Sequence, residues 1–200
     1  MIRTLIVDHH PALRAGVKVV LEAERDMVVV GDTGAQDELL PLLRRTRPDV
    51  VLLDCHPPAV VGLRACRLIK CLIPAPRVLI YSAYADERLG VAARVAGADG
   101  LLGKNSSALD LVQAIRVVHG GRQLFEPIRP GDVQRATRLL DPQDAQILEM
   151  LLDDTSPSEI AVVLNVPPAS VGRRVSDIVE RLCVEPPWSA ADEPCDRPAA

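Results

Sequence analysis

"TLIVDHHPALR", residues 4–14, runs from an apolar, β-branched stretch straight into Asp8, His9 and His10, then into a helix-like pattern. Four more apolar segments follow: "MVVVGD" (27–32), "DVVLLD" (49–54), "RVLIYS" (77–82) and "DGLLGK" (99–104). Continuous runs of this kind read as strands buried on both faces of a parallel sheet. Between them, apolar residues recur at three- and four-residue spacing, as in Leu13, Val17, Val20 and Leu21. Alternating βα units with right-handed crossovers make a doubly wound α/β fold. Its last helix is expected over about 106–118, ending at "HGG", where glycine takes a left-handed capping conformation.

Residues 121–138 change character: two prolines and no strand pattern mark a linker with a short helix from about Pro130. Three helical patterns follow, "DPQDAQILEMLL" (141–152), "SPSEIAVVL" (156–164) and "PPASVGRRVSDIVERL" (167–182). The first two open on an Asp or Ser cap with Pro in the first turn. The third places Val171, Val175, Ile178 and Leu182 on one face, behind the tight turn "NVPP". Ile147, Leu148, Leu151, Ile160 and Leu164 complete the expected core. Three helices in this order predict a small all-α helix-turn-helix unit. The divisions are therefore 1–120, 121–138, 139–184 and a proline-rich, acidic tail, 185–200, expected to be disordered.

Only Tyr81, Tyr84, Phe125 and Trp188 are aromatic in 200 residues, so the core must be Leu, Val, Ile and Ala. No apolar run approaches the roughly 18 residues of a membrane span. "MIRTLIVD" lacks the features of a signal peptide, and a cytoplasmic protein without membrane contact is expected. Cysteines 55, 66, 71, 183 and 195 form no C-x-x-C pair and are read as reduced thiols. Charge is uneven: residues 1–138 carry a net +4 and residues 139–200 a net −8.

In a doubly wound sheet, ligands sit beyond the carboxyl ends of the strands near the switch in strand order. Asp8, Asp54 and Ser82 stand at three of those ends, and Lys104 follows the fifth segment. Two carboxylates with a hydroxyl and a lysine across a cleft suit a cation and an oxyanion together. The blander alternative is a set of helix caps and surface charges.

These residues carry a resemblance. "LIVDHHP", "VVLLDCHPPAVVGL", "VLIYSAY" and "GADGLLGK" resemble, in order, the motifs of a response-regulator receiver domain. Residues 139–184 resemble the first three helices of a LuxR-type DNA-binding domain, and the whole is similar to a NarL/FixJ-type response regulator. The resemblance implies a flavodoxin-like five-stranded sheet in the order 2-1-3-4-5. It implies that Asp54 accepts a phosphoryl group from a histidine kinase and that Lys104 pairs with that phosphate. Ser82 would hydrogen-bond to it and move, and Asp8 would help hold Mg²⁺. Where the family has a second carboxylate, this chain has His9; His10 stands where the subfamily commonly has histidine.

The exchange has consequences. Mg²⁺ takes hard oxygen ligands in tight octahedral geometry and binds imidazole poorly. An imidazolium at His9 would stand in for the ion between Asp8 and Asp54. Loss of the cation removes the clamp on a transferring phosphoryl group, so weak or absent phosphorylation of Asp54 is expected. Pro57 before Pro58, Val61 before Gly62, Leu101 in place of an aromatic switch partner and Gly103 beside Lys104 are further departures. A transition-metal site using Asp8, His9, Asp54 and His56 is a sharper possibility. The plainer arrangement leaves His56 in solvent and His9 hydrogen-bonded to Asp54.

The resemblance sends the third helix into the DNA major groove, with Gly172, Arg173 and Ser176 exposed and Arg174 and Arg181 nearby. Arg173 would read guanine or hold phosphate. Gly172 replaces a usual basic residue and costs helix stability by up to about 1 kcal/mol. Residues 139–184 carry a net −5, a disadvantage toward phosphate. Asp141, Asp144, Glu149, Asp153 and Asp154 are expected on the face away from DNA, and Arg129, Arg135 and Arg138 would add phosphate contacts. "EPPWSAADEPC" (185–195) is a poor copy of the family's fourth helix, so homodimerisation is expected through the receiver or linker.

The leading expectation is a DNA-binding transcription regulator with an atypical pseudo-receiver, controlled by a small-molecule ligand, oligomer formation or abundance. One alternative is a conventional two-component regulator phosphorylated at Asp54, with Mg²⁺ in a functional pocket. Another is an interaction module that pairs with a second regulator and has lost DNA binding. No separate catalytic constellation is present, and no cofactor other than that Mg²⁺ is expected.

Overall fold

The computed structural model describes residues 1–35 and 38–184. The expected disorder of 185–200 lies outside the described residues. The elements are β1 (Ile2–Val7), α1 (Pro11–Glu22), β2 (Met27–Thr33), α2 (Leu39–Thr46), β3 (Val50–Leu53), α3 (Val60–Lys70), β4 (Arg77–Ser82), α4 (Glu87–Val95), β5 (Gly100–Gly103) and α5 (Ala108–His119). Four helices follow: α6 (Pro130–Thr137), α7 (Pro142–Leu152), α8 (Pro157–Val163) and α9 (Pro168–Val184).

All five apolar segments form strands, paired in parallel in the order β2-β1-β3-β4-β5. The order reverses between β1 and β3, where Val7 pairs with Leu53. That register places Asp8 and Asp54 side by side one residue beyond the strands, with Asp54 N donating to the Val7 carbonyl at 2.8 Å. Lys104 N donates to the Ser82 carbonyl, also at 2.8 Å, which fixes the fifth strand end against the fourth.

One face of the sheet packs Ile6, Leu52, Leu79 and Tyr81 against Val17 and Leu21 of α1 and Ile115 and Val118 of α5. The other packs Leu5, Val51, Leu53 and Ile80 against α2, α3 and α4. This second cluster does not stop at the receiver helices. It continues into Ile147, Leu148, Ile160, Val171, Val175 and Ile178, so sheet and C-terminal helices share one apolar core. Burying each such side chain stabilises the fold by about 1.5–3 kcal/mol.

Local signals set the helix ends. Asp86 accepts from Leu89 N at the start of α4, and Ser107 with Asp110 forms a capping box on α5. Asp141 caps α7 and Ser156 with Glu159 caps α8, as the sequence predicts. At "HGG", α5 closes through Gly120 at φ −69°, and the left-handed conformation falls one residue later, on Gly121 at φ 82°. Asn165, at φ 52°, makes the turn between α8 and α9. Among the described residues, no helix is long and apolar enough to cross a membrane.

Candidate functional site

The loops after β1 and β3 bring Asp8, His9, His10, Asp54 and His56 together, and Lys104 reaches across from beyond β5. Asp8 and Asp54 are buried, yet both are surrounded by charged or polar partners. Lys104 Nζ lies 2.6 Å from Asp8 Oδ2 and 2.7 Å from Asp54 Oδ1. The other oxygen of each carboxylate turns toward imidazoles. His9 Nδ1 is 2.6 Å from Asp54 Oδ2, His56 Nδ1 is 3.2 Å from the same oxygen, and His10 Nδ1 is 3.3 Å from Asp8 Oδ1. The ring of His9 lies between the other two, its centroid 3.7 Å from that of His10 and 3.9 Å from that of His56.

Each loop is shaped for this. His10 is the N-cap of α1, but its side chain makes no cap hydrogen bond. Its imidazole is thereby left for the pocket, while its backbone N–H donates to Asp8 Oδ1 at 2.7 Å. Arg14 Nη1 donates to the Asp8 carbonyl at 2.6 Å and holds the loop from below. After β3, Gly62 packs under the turn: a Cβ there would stand 2.4 Å from Cys55 Sγ and 2.8 Å from the Asp54 carbonyl oxygen. Only glycine permits that approach.

Burial opposes ionisation of Asp54, but Lys104 and then His9 outweigh it and hold the carboxyl below its ordinary range. Burial likewise opposes the charge on Lys104, and Asp54 and Asp8 outweigh it and push the ammonium up. Ser82 is fully buried, and the hydrogen bonds of its hydroxyl go elsewhere than Asp54. Its Oγ donates to the Cys55 carbonyl and accepts from Tyr84 N at 3.1 Å. Leu101 is half-buried beside α4, at the edge of a cleft of about 580 Å³ also lined by Arg94, Phe125 and Ile128. That volume lies within the range of about 300–1,000 Å³ typical of ligand sites.

His56 corrects the plainer expectation in part: its ring remains 45% exposed, but its Nδ1 is turned onto Asp54. His10 was not singled out for the pocket, although a histidine before a proline at a strand-to-helix turn was the available signal.

The last helix uses three of its faces. Val171, Val175, Ile178 and Leu182 are buried in the C-terminal helices, as expected, and Val179 is buried as well. A neighbouring stripe meets the receiver. Arg67 of α3 donates to Ser176 Oγ at 3.0 Å and to the Gly172 carbonyl at 2.8 Å. Arg64 pairs with Glu180, and Arg88 Nε of α4 donates to the Leu182 carbonyl at 2.6 Å.

The third face meets the start of α7. Arg174 lies 2.5 Å from Asp144 Oδ1, and Arg181 lies 3.3 Å from Asp144 Oδ2 and 3.5 Å from Asp141 Oδ2. Seven residues apart, the two arginines share one side of α9 and meet the start of α7. Asp141 is held below its ordinary range, chiefly by backbone N–H groups at that helix start. Gly172 and Ser176 therefore face the receiver, and Arg174 and Arg181 face α7. Arg173 is exposed and pairs with no described residue. In the linker, Arg135 is engaged with Asp132 and Arg129 lies 3.7 Å from Glu87.

Comparison with known proteins fits this arrangement. The response regulator receiver domain pattern matches residues 4–116, and the sigma-70 region 4 pattern matches residues 131–182. The response regulator UvrY of Escherichia coli K12 is 28% identical over 181 residues, spanning 86% of this chain and 83% of its own. A solved two-component response regulator of the LuxR family from Aurantimonas sp. SI85-9A1 is 32% identical, with a TM-score of 0.59. It covers 67% of this chain and 94% of its own. RcsB of Salmonella enterica serovar Typhimurium, solved on promoter P1flhDC with BeF₃⁻, shares the fold at a TM-score of 0.58. It is 18% identical over 93% of this chain and 94% of its own. The chain belongs to the response regulator family, with a receiver domain followed by a LuxR-type helix-turn-helix region.

Proposed function

We propose that the chain is a DNA-binding transcription regulator whose receiver works without Mg²⁺-dependent phosphorylation of Asp54. In this reading residues 1–120 are the receiver, 121–138 the linker and 139–184 the DNA reader. The observation that carries it is the 2.6 Å contact of His9 Nδ1 with Asp54 Oδ2. With Lys104 on Asp54 Oδ1, both oxygens of the acceptor are engaged. The Mg²⁺ that the family implies takes oxygen donors in near-ideal octahedral geometry. Three imidazole nitrogens around two carboxylates do not fit it.

What the residues do instead is hold a closed arrangement. Lys104 and His9 neutralise Asp54, Ser82 fixes the loop after β3, and α3 and α4 hold the reading stripe of α9. DNA reading requires α9 to leave Arg67, exposing Gly172 and Ser176 beside Arg173. Arg173 then contacts the groove. The small-molecule route of control has a cleft of suitable size at Leu101, on the α4 side.

The test is exposure of the full chain to a small phosphodonor with millimolar Mg²⁺, read by intact mass. The expected result is no phosphoryl adduct on the native chain and an adduct on His9→Asp. Stoichiometric acyl-phosphate on the native chain overturns the reading.

A second reading, an interaction module without DNA binding, is favoured by the Arg174 and Arg181 pairs with Asp141 and Asp144. Salt-dependent binding to genomic fragments separates the two. Phosphate contacts make affinity fall steeply with salt, and a chain with no such binding in any salt is the interaction module.

A further inference from the structure

We infer that Asp8, His9, His10 and Asp54 form a site for a divalent late transition-metal ion of the Zn²⁺ kind. The inference rests on the reading that this pocket is not built for Mg²⁺, and names what it is built for. The ligand atoms of these four residues all lie within 4.8 Å of one another. Three of the neighbouring separations are 2.6 Å for His9–Asp54, 3.3 Å for His10–Asp8 and 3.9 Å for His9–Asp8.

Those values can be set against the geometry of the ion. Zn²⁺ binds imidazole nitrogen at about 2.0–2.1 Å and carboxylate oxygen at about 2.0–2.2 Å in a tetrahedron, so ligand atoms stand about 3.3–3.6 Å apart. The His10–Asp8 separation already fits, and the His9–Asp8 pair needs to close by only a few tenths of an ångström. The His9–Asp54 contact is a hydrogen bond whose proton the ion displaces, opening the pair by under about 1 Å.

The surroundings suit the ion in three respects. Lys104 holds Asp8 Oδ2 and Asp54 Oδ1, which leaves Asp8 Oδ1 and Asp54 Oδ2 aimed at the histidines. With neutral imidazoles, the two carboxylates and one ammonium leave a single net negative charge for a dication to meet. His9 and His10 are 38% and 61% exposed, so coordination through Nδ1 leaves each Nε2–H to water and strands no buried donor. His56 acts as a positioning residue: its Nδ1 donates to Asp54 Oδ2 at 3.2 Å, and its ring centroid lies 3.9 Å from that of His9, tilted by 37°. Two nitrogens and two oxygens favour Zn²⁺, Co²⁺ or Ni²⁺ over Mg²⁺, which prefers an all-oxygen shell. A bound ion ties the loop after β1 to the loop after β3, the two loops that carry the pocket.

The test uses the full chain, tag removed and treated with chelator, titrated with Co²⁺ in visible absorption and then with Zn²⁺ in competition. One equivalent per chain is expected, with an intense tetrahedral Co²⁺ spectrum that Zn²⁺ abolishes. His9→Ala and His10→Ala each weaken binding at least about 100-fold, and His56→Ala weakens it about 10- to 100-fold. All three side chains are at or near the surface, and circular dichroism checks that the variants fold. Absence of binding at micromolar Co²⁺ and Zn²⁺ overturns the site, and so does binding unchanged in His9→Ala and His10→Ala, which places the ion elsewhere on the chain. The phosphodonor experiment remains separate. No metal and no acyl-phosphate overturns the site alone, whereas Zn²⁺ binding together with acyl-phosphate upholds the site and overturns the unconventional receiver.

Discussion

The strand-end pocket and the last helix differ in what their charged groups meet. In the pocket Asp8, Asp54 and Lys104 come together, and imidazoles face the remaining carboxylate oxygens. In α9 most of the polar groups are already engaged within the molecule. Its arginines are present, yet Arg174 and Arg181 lie against Asp141 and Asp144, and Gly172 and Ser176 lie against Arg67. A motif therefore tells where a group stands, and its partners tell what it is free to do.

The sharpest way to break the comparison is at Lys104. Lys104→Met leaves two buried carboxylates without their common cation and should cost about 3–5 kcal/mol. Urea denaturation reads this, and a loss below about 1 kcal/mol would mean that the imidazoles, not the lysine, hold the pocket together.

The same pair sets a pH dependence. Asp54 is held below its ordinary value of 3.8, so its contribution is complete above that pH and is lost as pH falls through the lowered value. Lys104 is raised above 10.5, so its contribution is complete below that pH and is lost as pH rises through the raised value. Urea midpoints should fall at both extremes, and a midpoint that rises between pH 5 and pH 3 contradicts the pairing.

On the helix side, Asp144→Asn removes the charge between Arg174 and Arg181 and should destabilise the fold by about 1–3 kcal/mol. It should also loosen both guanidiniums, leaving Asp141 as their remaining carboxylate, and make the salt dependence of DNA affinity steeper by up to about two phosphate contacts. An unchanged salt slope would show that these arginines never reach DNA. The smallest effect is expected from Arg67→Ala, which loses two hydrogen bonds to α9, about 1–2 kcal/mol of the closed form. Affinity for genomic fragments should rise roughly tenfold, and a fall would mean that Arg67 itself touches DNA.

Much of this was legible beforehand. Four of the five strands lie within a residue of their apolar runs, and β1 begins two residues before its own, because parallel strands buried on both faces leave little ambiguity. Asp8, Asp54 and Lys104 were legible as a group because strand ends converge at the switch in strand order. His56 was harder, since its orientation depends on the loop after β3 and not on spacing. The docking of α9 was hidden for a different reason. Arg67 and Ser176 are 109 positions apart, and Arg67 reads as an ordinary exposed helix charge. Val179 was the residue that could have told, because it lies off the stripe that the C-terminal core requires and is nonetheless fully buried.

The unbroken apolar cluster from β3 through α4 into α7 and α9 bears on how the molecule comes apart. Two modules joined only by a tether would melt as two separate endotherms. Here the hydrocarbon is common property, so detaching the reader wets part of the receiver's own interior. A single cooperative endotherm is therefore expected, and any opening must be compensated by whatever next covers that greasy seam.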